Sequence, residues 1–380
     1  MANLDLIGAD VLWPYGPRRE TLSFADGWIV SDAVGRSVDL SGFMILPGII
    51  DLHGDAFERH LAPRRGAMKQ MKEGLVATEA ELSANGITTA VLAQFVSWEG
   101  GLRGLEFADQ VFGALRDTAP RLVTDMRAQL RFETHLLDLY AELPERLKTW
   151  DVSYVVFNDH LPHGRLAAGK TPKRMVGQAL KAGRSPETHL AMMQYLYARS
   201  VEVPAALNAL CATLSASGVR MGSHDDQSAE ARATWRVRGV KVAEFPETQA
   251  AAEAAHDAGD AVIMGAPNVV RGGSHNGNLS AVDLISMGMC DALASDYHYP
   301  SPRRAALMLA DAGVLDLANA WRLISAGPAE ILGLADRGEL RAGLRADFVV
   351  LDAKTRRVAA SFVQGRASYM SGDIADRFIC

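Results

Sequence analysis

Cysteine is scarce in this sequence. Cys211, Cys290 and Cys380 stand far apart with no Cys-x-x-Cys pair, so neither a disulfide framework nor a zinc ribbon can be read from them. A reducing cytoplasm is the expected setting. No apolar run approaches the roughly 18 residues that a membrane span needs. The opening MANLDLIGADVLWP lacks a basic region followed by an apolar one, so a soluble, cytoplasmic protein with no membrane partner is expected. Positive charge is not in excess either. Against 45 Asp and Glu there are 39 Lys and Arg, and a formal charge of −6 removes the overall electrostatic case for a nucleic-acid partner. Internal repeats and low-complexity tracts are absent. What is present is ordinary globular composition, 48% hydrophobic and 22% charged, which argues against disorder. At about 150 residues per domain, 380 residues allow two or three domains or one large barrel.

From about residue 44 to 335, short apolar or β-branched runs alternate with longer stretches of helical spacing, the mark of βα units. Strands are expected over 45–52, 87–94, 128–134, 153–158, 218–223, 239–245, 261–266 and 290–295. Helices are expected over 71–85, 102–116, 188–214 and 248–259. Eight parallel strands with crossover helices close naturally into a (β/α)8 barrel of about 250 residues. A doubly wound open sheet is the alternative, but no Gly-rich phosphate fingerprint follows its first strand. The two ends of the chain read differently. Residues 1–43 and 339–380 are short alternating β segments split by Gly, Asp and Arg turns, and neither offers enough strands to be stable alone. They are expected to pair into one small β-sandwich domain beside a barrel of residues 44–338.

Chemistry-bearing side chains gather where these strands end. The strand in LPGIIDLHGD delivers His53 and Asp55, two apart and therefore on one face. Other strands end in RFETH with Glu133, FNDH with His160, MGSHDD with His224 and LASDYH with Asp296. Catalytic groups of a barrel sit at the carboxyl ends of its strands, so imidazoles and carboxylates would converge there as a two-cation site requires. His60, His163, His189 and His256 fall outside strand ends and read as ordinary core or surface residues. Between residues 161 and 186 lie Arg165, Lys170, Lys173, Arg174, Lys181 and Arg184 with no acidic residue. A solvated helix face is the usual meaning of such a run. Its place directly after the strand ending Asn158-Asp159-His160 adds an anion-binding reading. The glycine-rich segment from Arg271 through Ser274, His275 and Asn276 could turn backbone amides toward an anion, with a plain loop as the competing reading.

The LPGIIDLHGD strand, the later His, Glu and Asp positions and the flanking β segments resemble the metal-dependent amidohydrolase superfamily. More closely, DLHGDAFER, DHLPHGR, GSHDD, EFPET, GAPNVVRGGSHNGN and ASDYHYPS resemble the diphosphatase family of the carbon–phosphorus lyase pathway of phosphonate metabolism, over essentially the whole chain. That resemblance implies hydrolysis of α-D-ribose 1-methylphosphonate 5-triphosphate with release of pyrophosphate. It implies one or two divalent metals, Zn first, with Mn, Fe or Co as alternatives. His53 and Asp55 match the first-strand metal pair, His160 and His224 the later histidine ligands, Asp296 the last-strand Asp, and Glu133 takes the bridging place. Asp296 would act on the water whose pKa the metals lower toward about 7, with His224 beside it as the second catalytic residue. Arg165, Lys170, Lys173, Arg174, Arg271, Ser274, His275 and Asn276 would bind the phosphorylated sugar, and assembly into a homo-oligomer stays open. The competing reading is hydrolysis of an amide or cyclic amide or deamination of a base, since the same metal cluster serves all of these.

Overall fold

The computed structural model describes residues 3–62, 70–273 and 279–379. Its largest sheet is α/β and has eight strands in sequence order: Ile49–Gly54, Ile87–Val96, Asp125–Glu133, Tyr154–Asn158, Arg220–His224, Val242–Glu244, Ala261–Gly265 and Ala292–Ala294. The neighbouring pairs are parallel. A further bridge sets Gly54, at the end of the first strand, beside Asp296, just past the eighth, so the sheet nearly closes as a barrel. The expected (β/α)8 fold class is what the chain adopts. Parallel strands covered by helices on their outer face read as unbroken apolar runs. Ile87–Val96 is buried at every residue, with Thr88, Thr89 and Gln94 as its polar positions. Side-chain caps start the intervening helices: Ser185, Ser228, Thr248 and Ser280 each accept the N–H of the residue three further on.

Two expected elements divide, one at a glycine and one at a proline. The run 45–52 is two strands in two sheets. Phe43–Pro47 pairs antiparallel with Phe348–Asp352, whereas Ile49–Gly54 pairs parallel with Ile87–Val96. The break falls at Gly48, where a Cβ would lie 2.3 Å from Thr88 Oγ1. Likewise, the helix expected over 188–214 is Pro186–Ala198 followed by Val203–Ala216. Pro204 has no N–H to give to the preceding turn, and it sits in the first turn of a new helix, where none is needed.

The chain forms two compact units. One comprises Met1–Leu92, Thr118–Arg127 and Val262–Cys380. In it, strands from both ends of the chain share a six-stranded sheet, in the order Arg366–Met370, Val358–Val363, Phe348–Asp352, Phe43–Pro47, Asp10–Trp13, Gly16–Arg18. A four-stranded sheet holds Trp28–Val30, Leu22–Ala25, Leu4–Ile7 and Ser37–Asp39. Phe24, Phe348 and Phe362 meet in one buried cluster contributed by both sheets, the last two rings stacked at 4.5 Å. The other unit comprises Ala93–Asp117 and Ala128–Ala261, with a core built on Phe132, Phe157, Leu207, Leu210 and Leu214. Among the described residues no helix is long and apolar enough to cross a membrane.

Candidate metal centre

In the first unit, the first barrel strand carries Asp51 and His53, and Asp55 follows just past its end. Asp51 is wholly buried and accepts the Ser295 N–H at 2.8 Å and the Ser295 hydroxyl at 2.6 Å. Burial pushes its carboxyl up, while the Ser295 bonds and the neighbouring His53 pull it back. The residue after Ser295 is Asp296, whose N–H donates to the His53 carbonyl at 2.9 Å and whose carbonyl accepts the Asp55 N–H at 3.0 Å. These bonds hold Asp296 beside both first-strand candidates. Only glycine fits between them, because a Cβ on Gly54 would lie 2.6 Å from Asp51 Oδ2 and 2.8 Å from the Tyr299 ring. Asp51 thus couples the first strand to the eighth. Asp51→Ala is expected to lower the unfolding free energy by about 1–3 kcal/mol, since two buried Ser295 donors lose their acceptor. The check is the urea midpoint, which an uncoupled role would leave in place.

In the second unit, two carboxylate–imidazole pairs stand at successive strand ends. Glu133, fully buried at the end of the third strand, accepts the His160 N–H at 3.1 Å, and its other oxygen makes a short hydrogen bond with His160 Nδ1. Burial disfavours the His160 imidazolium, but the bonded Glu133 carboxylate more than restores it, so the net shift is upward. Glu244 ends the sixth strand, also fully buried. One of its oxygens accepts Gln129 Nε2 at 2.7 Å and the Tyr154 hydroxyl at 2.8 Å, and the other lies 3.3 Å from His224 Nδ1. Burial and that carboxylate push the Tyr154 phenol well above its ordinary range, which keeps it a donor. Arg131 Nη2 lies 2.7 Å from His224 Nε2. A guanidinium can only donate, so Nε2 faces a donor while Nδ1 faces the Glu244 carboxylate, and a cation on this ring would take the place of one of these two contacts.

Backbone strain marks the same places. Asp225 and Phe245, which follow His224 and Glu244, and Asp296 itself have φ of 59°, 54° and 56°. Aspartate tolerates the left-handed region, but a bulky residue such as phenylalanine rarely enters it. Such positions cost about 1–3 kcal/mol each and cluster at functional sites. The Phe245 ring stands edge-on to His224 at 5.1 Å.

The expected anion-binding residues separate into three groups. Lys170, Lys173 and Arg174 are exposed and Arg165 is half-buried, and among the described residues none of the four is in an ion pair. Arg271 ends the helix Ala266–Arg271 and donates to the Tyr297 hydroxyl. Ser274, His275 and Asn276 lie outside the described residues. Of the histidines read as ordinary, His60 pairs with Glu81 and His189 is buried, but His163 pairs with Asp159. Glu244, Arg131 and Asp51 were not expected in the site. Glu244 lies within the quoted EFPET, at the end of a strand the sequence does show, and that position was the available signal.

A model described as "Amidohydrolase family" matches residues 187–368. The alpha-D-ribose 1-methylphosphonate 5-triphosphate diphosphatase of Escherichia coli (strain K12) is 34% identical over 339 residues, 85% of this chain and 87% of that protein. The fold recurs at low identity in two crystal structures. The beta-aspartyl dipeptidase of Fervidobacterium islandicum AW-1 has a TM-score of 0.61 at 13% identity, covering 98% of each chain. The N-acyl-D-glutamate deacylase of Bordetella bronchiseptica has a TM-score of 0.60 at 15% identity, covering 97% of this chain and 96% of that one. The barrel and its strand-end imidazoles and carboxylates agree with this kinship: the chain belongs to the amidohydrolase family and is a metal-dependent hydrolase.

Proposed function

We propose that His53, Asp55, Glu133, His160, His224 and Asp296 hold one or two divalent cations, and that the enzyme cleaves a ribosyl 5-triphosphate between its α and β phosphates, releasing pyrophosphate. The donor set suits such ions. His53, His224 and Glu244 each present a ligand atom at the carboxyl end of a barrel strand, and mixed imidazole and carboxylate donors serve Zn, Mn, Fe and Co. Glu244, with one oxygen committed to Gln129 and Tyr154, orients His224. His160, whose protonated form Glu133 favours, would give up that proton on loading, since a ligating imidazole must be neutral. A bound divalent cation acidifies water and draws charge off a phosphoryl oxygen. Asp296 takes the proton of the water that attacks the α-phosphorus. The products are pyrophosphate and the sugar 5-phosphate.

The observation that carries the substrate class is the acid-free segment after the fourth strand, where Arg165, Lys170, Lys173 and Arg174 have no ion-pair partner among the described residues. A triphosphate brings several negative charges that such cations offset, whereas an amide or a ring brings none. Arg131 adds a guanidinium that stacks on Phe95 at 4.0 Å, with Arg103 over the same ring at 4.1 Å. The likeness to the E. coli diphosphatase supports the same class.

The test is to supply divalent metal with a panel of ribosyl and nucleoside triphosphates and score pyrophosphate against orthophosphate. Pyrophosphate from a ribosyl triphosphate is expected. Lys170→Ala, Lys173→Ala and Arg174→Ala should raise KM with kcat little changed, and the effect should shrink at high salt. Good turnover of cyclic amides with no metal-dependent pyrophosphate would replace this reading with amide hydrolysis.

A further inference from the structure

We infer that His135, Asp159 and His163 form a second divalent-cation site, distinct from the centre proposed above. All three belong to one unit, and their ligand atoms lie within 4.8 Å of one another. His135 Nδ1 is 3.5 Å from Asp159 Oδ1, and His163 Nε2 is 2.8 Å from Asp159 Oδ2 and 3.0 Å from Oδ1. Two imidazoles therefore aim ring nitrogens at the same carboxylate. Two histidines and one carboxylate on one side of a cation, with the other positions open, is a donor set that first-row divalent metals take.

The surroundings fix this geometry from outside. His135 is buried, and its far nitrogen, Nε2, lies 3.0 Å from Ser200 Oγ. That is the arrangement by which an outer hydroxyl sets the ring orientation and tautomer of a ligating histidine. Asp159 is held by the Leu161 N–H, which donates to Oδ1 at 3.1 Å. His163 follows Asp159 by four residues, opens the helix His163–Ala167 and rests edge-on against Tyr197 at 5.8 Å. The side chains of Asp159 and His163 are each 41% exposed, so an ion can enter from solvent and keep water or an anionic oxygen on its open face.

Sequence neighbours do not merge the two sets. Glu133 and His160 bond to each other, and among the described residues no hydrogen bond joins that pair to His135, Asp159 or His163. Arg165, which belongs to the acid-free segment, comes two residues after His163. A cation held here would therefore add positive charge to the segment that already carries Lys170, Lys173 and Arg174.

The experiment uses the full chain equilibrated with zinc ions alone, freed of unbound zinc and assayed for metal per chain, with a zinc titration for affinity. His163→Ala is the main variant, because its exposed side chain can be removed without opening the core. Wild type should retain one more zinc per chain than His163→Ala, and Asp159→Asn should show the same loss. Ser200→Ala should weaken the site about 10–100-fold, with the count recovered at saturating zinc. His256→Ala, which removes an exposed histidine elsewhere, should change nothing. Equal zinc counts and affinities in wild type and His163→Ala would overturn the site, as would loss of the same equivalent in His256→Ala. Neither result depends on turnover, so failure here and failure of the triphosphatase reading are separate outcomes.

Discussion

Asp296→Asn is expected to lower kcat for pyrophosphate release by about 10²–10⁴-fold, the loss typical of a removed general base. The variant should fold. What positions Asp296 is its backbone, through the N–H to the His53 carbonyl and the carbonyl to the Asp55 N–H, and asparagine keeps both. Its φ of 56° also suits asparagine, one of the few residues other than glycine that enter the left-handed region readily. The substitution therefore removes an anionic oxygen that is both the proposed base and a proposed metal donor, and saturating metal isolates the first of these roles. Steady-state rates measured at saturating metal, with a melting curve on the same preparation, check both halves. A kcat within tenfold of wild type would assign the proton transfer to another group. A collapsed melting curve would instead make Asp296 a structural residue of the barrel seam.

Much of this architecture was legible because a parallel strand buried on both faces leaves an apolar run that needs no partner to be seen. Legibility ended where one run served two sheets. Nothing in the spacing of 45–52 says that Phe43–Pro47 pairs with Phe348–Asp352, a partner three hundred residues away, while Ile49–Gly54 pairs with the next barrel strand. The site divided along similar lines. Histidines and aspartates at strand ends stand out against apolar neighbours. Glu244 also ends a strand, but its part in the site shows only through Gln129 and Tyr154, which are 115 and 90 residues away in sequence. Arg131 and Asp51 were hidden for the same reason, their partners being His224, at the end of another strand, and Ser295, just past one. His163 differs. Its partner Asp159 is four residues away within DHLPH, but a reading that searched strand ends passed over the turn that follows.

Arg232→Met is expected to cost about 3–5 kcal/mol of stability, the price of stripping a buried ion pair of one partner. Arg232 is 1% exposed, and its guanidinium donates to Ser223 Oγ at 2.7 Å, to Asp226 Oδ2 at 3.2 Å and to the Val240 and Val242 carbonyls. Its Nε lies 3.4 Å from Asp260. Methionine fills similar space but leaves Asp226 and the Asp260 oxygen that faced Arg232 without a counter-ion. Burial already holds both carboxyls above their ordinary range; the Ser223 hydroxyl and then Arg232 draw Asp226 back, and Arg232, with Arg236 and Lys241, draws Asp260 back. Removing it must raise them further. A carboxyl whose folded pKa lies above its unfolded one adds stability only below the unfolded value, and that is lost as pH rises through the folded one. The deficit of Arg232→Met should therefore be smaller near pH 4 than at pH 7, and urea midpoints at the two pH values test this sign. An equal deficit at both would mean that lost packing, not uncompensated charge, sets the cost. The network also reaches the chemistry, since Ser223 precedes His224 and Val242 lies two residues before Glu244. Where Arg232→Met remains folded, at low temperature, its kcat should fall as well, because the two strands that aim this imidazole and its carboxylate have lost the guanidinium that joins them.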